Sequence, residues 1–307
     1  MKNFPGIRST PLIYDGMGYL LNGLGKLYCF DLENGDFFWT KDLFEDYDGE
    51  NITWGITENL LIDGEKLFCT PGGTEGNVIA LNRISGDIIW ESKGAGKASS
   101  YGSPLIIDHN DNRFLIVHTA SSIISVNIEN GELAWEHPIY NDGGSHANTS
   151  IFRNDSLFLL QGYRDTTVLL RVAQNGLSVE QIWETTLLDI GMGDGVLLGN
   201  NLFSGANRDG TLFSIDWKTG KENYSLENTS KGRMKGRTVI TAEGLLYCFG
   251  FSGKFELLKP GETGFEIMGS FQVGDDDYNH WAHPVIKDGR LYIRHKNTLW
   301  VYQVGKE

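Results

Sequence analysis

His280 and His283 follow the run Asp275, Asp276 and Asp277 in one polar stretch, and two imidazoles with a carboxylate would suit zinc or iron in a metal-dependent hydrolase. Their spacing matches no fixed zinc motif, so a hydrogen-bonded loop competes with that reading. Asp108, Asn110, Asp111 and Asn112 offer oxygens at calcium-loop spacing, but the central glycine and closing glutamate of an EF-hand are missing, which favours a solvated hairpin turn. The glycines of GMGDG (191–195) lead into a strand pattern rather than a helix, so no helix dipole is there to hold a phosphate. Cys29, Cys69 and Cys248 are too far apart for a CxxC pair or a four-ligand zinc site and read as buried free thiols. The chain has no G-x-S-x-G elbow, P-loop, HExxH or CxxCH motif.

What remains is positional. Just ahead of seven apolar runs stand Arg8; Trp54, Thr57 and Glu58; Ser100 and Tyr101; His146 and Asn148; Asp194; Lys235 and Arg237; and His280, Trp281 and His283. Both charge signs, three histidines and several aromatics are in this set, but they form a site only if the runs behind them are brought side by side. The nature of those runs therefore decides what the set can do.

The runs belong to a repeat. LYCFDLENGDFFW (27–39), VIALNRISGDIIW (78–90), IISVNIENGELAW (123–135) and LFSIDWKTGKENY (212–224) each have an alternating apolar stretch, then Asp or Asn, a Gly-centred turn, and an aromatic four residues past the glycine. LLRVAQNGLSVEQIW carries an insertion before Trp183, and LLKPGETGFEIM places Met268 at the aromatic position. The turn glycines, Gly35, Gly86, Gly131, Gly176, Gly220 and Gly264, are spaced 51, 45, 45, 44 and 44 residues apart. Period-two alternation bounded by Gly, Asn and Asp predicts short antiparallel strands, four to a unit. Such sheets, repeated along a chain, bury their faces only against their neighbours, which predicts an all-β protein, a β-propeller of four-stranded antiparallel blades forming a single domain over 1–307. Trp39, Trp90, Trp135 and Trp183 then fill the gaps between blades, and Trp90→Ala is expected to cost about 3 to 5 kcal/mol. Turns within the first and last hairpins of a unit are short, whereas the second-to-third connections and the links between units are mostly longer and emerge at the opposite end, where a scaffold presents a binding surface.

These motifs resemble the quinoprotein-type repeat of PQQ-dependent alcohol dehydrogenases and of the BamB-like propeller lipoproteins of outer-membrane assembly. The run WGITENLLIDGEKLFCTPGGTEGNVIALNRISGDIIW and the ending HWAHPVIKDGRLYIRHKNTLWVYQV are similar to PQQ-like propeller proteins of environmental and gut bacteria. The resemblance covers nearly the whole chain. It implies an exported bacterial protein, periplasmic or at the cell surface, and often eight blades. The dehydrogenases carry adjacent cysteines and a calcium-holding Glu, Asn and Asp set beside the quinone, and no position of this chain matches that set. The seventh unit supplies HPVIKDG, RLYIRHK and TLWVYQV, one strand short of a full blade. The expectation is therefore seven visible repeats, either an eight-bladed ring lacking its N-terminal blade or a seven-bladed ring closed by its first residues or by another chain.

Composition narrows the partners. With 26 Lys and Arg against 40 Asp and Glu, the net charge of −14 repels phosphate backbones and anionic lipid, so no nucleic-acid partner is expected. No apolar run approaches the roughly 20 residues of a transmembrane helix. The reading is a non-enzymatic propeller that binds a protein, peptide or glycan at its long-loop end and needs no cofactor. A PQQ-dependent or other cofactor-dependent oxidoreductase is the alternative. The channel-mouth residues Arg8, Trp54, Glu58, Tyr101, His146, Asn148, Asp194, Lys235, Arg237, His280, Trp281 and His283 either contact that ligand or satisfy one another and a column of water. On the first view, His146→Ala and Arg237→Ala would leave melting nearly unchanged.

Overall fold

The computed structural model describes residues 8–139, 146–162, 166–206, 210–227, 236–274 and 280–305. Among the described residues, twenty-seven strands and one helical turn follow one another in seven antiparallel sheets, each in simple sequential order. The first sheet is β1 (Leu12–Tyr14), β2 (Met17–Leu21), β3 (Lys26–Asp31) and β4 (Phe37–Asp42), followed by the turn α1 (Leu43–Asp46). The second is β5 (Leu61–Asp63), β6 (Lys66–Cys69), β7 (Val78–Asn82) and β8 (Ile88–Ser92); the third is β9 (Leu105–His109), β10 (Asn112–His118), β11 (Ser122–Asn127) and β12 (Leu133–Pro138). The fourth is β13 (Ile151–Arg153), β14 (Ser156–Leu160), β15 (Thr167–Val172) and β16 (Val179–Thr185); the fifth is β17 (Val196–Leu198), β18 (Asn201–Gly205), β19 (Leu212–Asp216) and β20 (Glu222–Leu226). The sixth is β21 (Arg237–Ala242), β22 (Leu245–Gly250), β23 (Lys254–Pro260) and β24 (Phe265–Gln272). Among the described residues the seventh has three strands, β25 (Val285–Lys287), β26 (Arg290–His295) and β27 (Thr298–Gln303). These are the blades of a β-propeller. Contacts divide the chain into two compact units, Met1–Leu157 with Arg171–Glu180, and Phe158–Leu170 with Gln181–Glu307.

Blades 2 and 6 stack through both faces. In blade 2, Leu67, Cys69, Ile79 and Leu81 pack with Tyr19, Leu21, Leu27 and Cys29 of blade 1. The alternate residues Phe68, Val78 and Ala80 pack with Leu115, Val117, Ile124 and Val126 of blade 3. Blade 6 repeats the arrangement: Leu246 and Cys248 face Phe203 and Leu212 of blade 5, while Tyr247 and Phe249 face Leu291 and Ile293 of blade 7. Each large side chain removed from water in this way contributes about 1.5 to 3 kcal/mol. All three cysteines are buried and unbridged within these cores or beside them.

The repeated residues have specific tasks. The Asp or Asn closing the third strand of blades 1, 2, 3 and 5 folds the following turn: Asn82 Oδ1 accepts from Ile84 N at 2.9 Å and Ser85 N at 3.1 Å, and Asp216 Oδ1 accepts from Lys218 N at 3.1 Å and Thr219 N at 2.8 Å. The glycine that follows adopts positive φ and lies under the aromatic of the preceding blade. A Cβ on Gly86 would come within 2.8 Å of the Trp39 ring, and one on Gly131 within 2.6 Å of Trp90. Each indole also donates to the carbonyl three residues before that glycine: Trp39 to Arg83 O at 3.1 Å, Trp90 to Ile128 O at 3.2 Å and Trp183 to Trp217 O at 2.9 Å. Tyr224 does the same with its hydroxyl, donating to Gly261 O at 2.7 Å. Thus the aromatics pack between blades as the sequence predicts, and they also lock each blade to the turn of the next.

Trp135 departs from the rule. It is buried, but its indole N–H has no acceptor among the described residues. The equivalent carbonyl, Ala173 O, instead accepts from His109 Nε2 at 2.7 Å, and Gly176 packs under Phe114. The hairpin at Asp108–Asn112 is a turn with Asn110 at φ 52°, and the Asp108 carboxylate accepts from Arg113 Nε at 2.7 Å. One feature not foreseen is α1, which Asp42 caps by accepting from Phe44 N at 3.1 Å and Glu45 N at 3.3 Å.

Candidate functional site

In the first unit, the segments leading into blades 2, 3 and 4 are tied to one another. Tyr101 Oη accepts from Trp54 N at 3.2 Å, and Thr57 Oγ1 donates to Tyr101 O at 2.9 Å. Ser100 Oγ donates to His146 O at 2.9 Å and accepts from His146 N at 3.1 Å, while Tyr101 N also donates to His146 O at 3.0 Å. Gly102 lies against the His146 and Asn148 carbonyls, where a Cβ would meet them at 3.4 and 3.0 Å. Trp54, Tyr101, His146 and Asn148 are thereby brought together. His146 and Asn148 are buried, whereas Trp54 stands 43% exposed above its anchored backbone and Tyr101 and Arg8 are half-buried.

Glu58 is in a different situation. Its side chain is fully buried and turned onto its own blade, where it accepts from Thr70 N at 2.9 Å and from the Thr70 hydroxyl. Burial without a cation pushes its pKa up to about 7, against the pull of the two Thr70 hydrogen bonds. Buried Cys69 is pushed well above the usual thiol range, by burial and by the neighbouring Glu58 charge. His118 was not anticipated. It lies at the end of β10, 6.3 Å from the His146 ring, with Nε2 2.7 Å from Ser150 Oγ. Burial, then repulsion from His146, lowers its pKa to about 3.

In the second unit, Arg237 is buried, with Nη1 3.1 Å from Glu256 Oε2 and Nη2 donating to Gly210 O at 2.7 Å. Glu256 also pairs with Lys254 at 2.7 Å. This corrects the expectation that Arg237→Ala would be harmless, because that change would remove a buried guanidinium from a largely buried carboxylate and leave Lys254 as its remaining cation. His280 is fully buried, stacked on His295 with ring centroids 3.8 Å apart and meeting Phe249 edge-on at 5.3 Å. Burial, then the neighbouring His295, lowers its pKa to about 4. His283 is exposed, and Asp194 and Trp281 are half-buried. Lys235 and the Asp275 to Asp277 run lie outside the described residues. The strand parity that predicted the long-loop end also points to His118 and His295, since each ends the second strand of its blade there.

Among the described residues no three His, Cys, Asp or Glu side chains gather as a metal-ligand set. Of the described carboxylates at this end, Glu58 is committed to Thr70, Glu256 to Arg237 with Lys254, and Asp194 is half-buried. No helix among the described residues is long and apolar enough to cross a membrane.

The fold and these blade ends define a quinoprotein-type β-propeller. The family model described as outer membrane protein assembly factor BamB matches residues 5–226, more than two thirds of the chain, and the chain belongs to that family. It is 25% identical to the outer membrane protein assembly factor BamB of Shewanella oneidensis over 94% of this chain and 82% of that protein. It is 30% identical to the BamB of Kangiella koreensis over 29% of this chain, a match spanning 19% of that protein. It is 27% identical to the quinoprotein alcohol dehydrogenase PedH of Pseudomonas putida over 47% of this chain, a match spanning only 26% of that protein. The crystal structure of BamB from Moraxella catarrhalis superposes with a TM-score of 0.66 at 15% identity, covering 94% of this chain and 82% of that one, a likeness of fold.

Proposed function

We propose that this chain is a non-catalytic propeller domain of the bacterial cell envelope that binds a protein or peptide partner at the long-loop ends of its blades. The observation that carries the reading is Trp54. Its backbone is held by the Tyr101 hydroxyl, the supporting segments are cross-tied through Ser100 and His146, and its ring is presented to solvent. A large aromatic on a rigid base offers contact area at little entropic cost, which is how protein interfaces are anchored. Arg8 and Tyr101 in the same unit, and Asp194, Trp281 and His283 in the other, are the further accessible groups of the expected set. Glu58, His146, Asn148, Arg237 and His280 are buried and support rather than touch a partner.

The test is a photo-crosslinking amino acid installed in place of Trp54, compared with one in place of Ser85 in a hairpin turn at the other end of blade 2. A discrete protein adduct in intact cells from position 54 and none from position 85 is expected. Adducts of equal yield from both positions, or from 85 alone, would overturn the reading. A dye-linked alcohol assay after incubation with PQQ and calcium addresses the oxidoreductase alternative, and reproducible turnover would replace this reading with that one.

A further inference from the structure

Two close histidine pairs differ in what they can hold. His280 and His295 are stacked, with ring centroids 3.8 Å apart and planes 22° from parallel. Imidazole lone pairs lie in the ring plane, so theirs run side by side and do not converge on one ion. His118 and His146 are set apart instead, with centroids 6.3 Å apart and planes inclined at 41°. Both are buried, His118 at 4% exposure and His146 at 0%. A metal–nitrogen bond is about 2.0 Å long and a ring nitrogen lies about 1.1 Å from its centroid, so two imidazoles on one ion have centroids roughly 5 Å apart at a tetrahedral angle and roughly 6 Å apart when collinear. The pair therefore stands at the spacing of a shared ion with a wide angle between its ligands.

The two nitrogens of His118 are unequally provided for. Nε2 lies 2.7 Å from Ser150 Oγ, whereas Nδ1 is buried with no hydrogen-bond partner among the described residues. The tautomer that donates from Nε2–H to Ser150 leaves Nδ1 as a bare lone pair. Ligand histidines are held in this way, by a partner on the nitrogen that does not bind metal. A serine–histidine catalytic pair would need the opposite, an acceptor on Nδ1 to orient the base. Burial also keeps His118 neutral, the form that coordinates metal. The surrounding backbone is fixed. Ser100 Oγ bonds both the N–H and the C=O of His146, and a Cβ on Gly102 would lie 3.0 Å from Asn148 O, 3.4 Å from His146 O and 3.5 Å from His118 Cβ. We propose that His118 and His146 bind one cuprous ion between them. Among the described residues no third His, Cys, Asp or Glu joins them, which leaves zinc short of its usual ligand count. Cu(I), a d10 ion that takes imidazole, accepts two nitrogens in a nearly straight line.

The test is anaerobic titration of the full chain with cuprous ion, added as its acetonitrile complex, in competition with the chromophoric chelator bicinchoninate. The parent is expected to withdraw a single copper per chain, and His118→Gln and His146→Gln to leave it with the chelator. Two measurements on the loaded parent keep the test independent of whether those variants fold. X-ray absorption should show two nitrogen neighbours at about 2.0 Å and no sulfur. Because Cu(I) is diamagnetic, the imidazole nitrogen resonances of His118 and His146 should shift on loading while those of His280 and His295 stay in place. Copper left entirely with the chelator, copper–sulfur scattering from Cys29, Cys69 or Cys248, or unshifted His118 and His146 resonances would each overturn the proposal. So would undiminished retention by both glutamine variants.

Discussion

Glu58 and His118 set opposite limits on stability at the level of single residues. The folded pKa of Glu58, about 7, lies above its ordinary 4.5, so the folded chain holds a proton that the unfolded chain releases. Its contribution is complete below about 4.5 and is lost as pH rises through about 7, by roughly 3 kcal/mol for such a shift. His118 and His280 act the other way. Their folded values, about 3 and about 4, lie below the ordinary 6.5, so their contributions are complete above about 6.5 and are lost on acidification. Chemical denaturation across pH 5 to 8 should therefore show Glu58→Gln flattening the alkaline loss while keeping the acid one; an unchanged alkaline limb would show that Glu58 is ionised in the fold. The indoles give a second residue-level prediction. Trp183→Phe removes the bond to Trp217 O and should cost about 1 kcal/mol more than Trp135→Phe, whose N–H has no acceptor among the described residues. Equal losses in denaturant melts would mean that the hydrogen bond contributes nothing beyond packing.

The recurring unit is the hairpin that joins the third and fourth strands, and its sequence signature was readable because each position has one physical duty. Asn82 or Asp216 folds the turn, glycine takes the left-handed conformation, and the aromatic four residues on covers the next such glycine. Gly131 has φ +74° with the Trp90 ring 2.6 Å from a Cβ, whereas Gly199 has φ +62° in open space. Gly199→Ala should cost only the backbone strain, about 1 kcal/mol, and Gly131→Ala distinctly more because the ring must also move. Comparable melting temperatures for the two variants would refute the interlock. Direction was less legible than identity. Alternation placed Glu58, His146, Arg237 and His280 at the ends of the right strands, but their burial depends on partners such as Thr70, Ser100, Glu256 and His295, which lie 12 to 46 residues away and carry no local pattern. The displaced bond of Trp135 was equally hidden, since it depends on His109 reaching Ala173 O from another blade.

Taken across the whole chain, one group of aromatics is committed between blades and a second stands toward solvent. Trp39, Trp90, Trp183 and Tyr224 belong to the first, each donating into the next blade. Trp54 belongs to the second, its ring 43% exposed on a backbone that others secure. Membership of the BamB family and the sequential four-stranded sheets agree with a scaffold of this kind, in which the repeat specifies architecture and leaves recognition to the segments between blades. The most direct measurement is the melting temperature of Trp90→Ala beside that of Trp54→Ala. The first should fall by about 10 °C, as a cavity of about 3 to 5 kcal/mol implies for a chain of this size, and the second should stay with the parent. If Trp54→Ala melts as early as Trp90→Ala, or Trp90→Ala melts with the parent, this division of labour is contradicted.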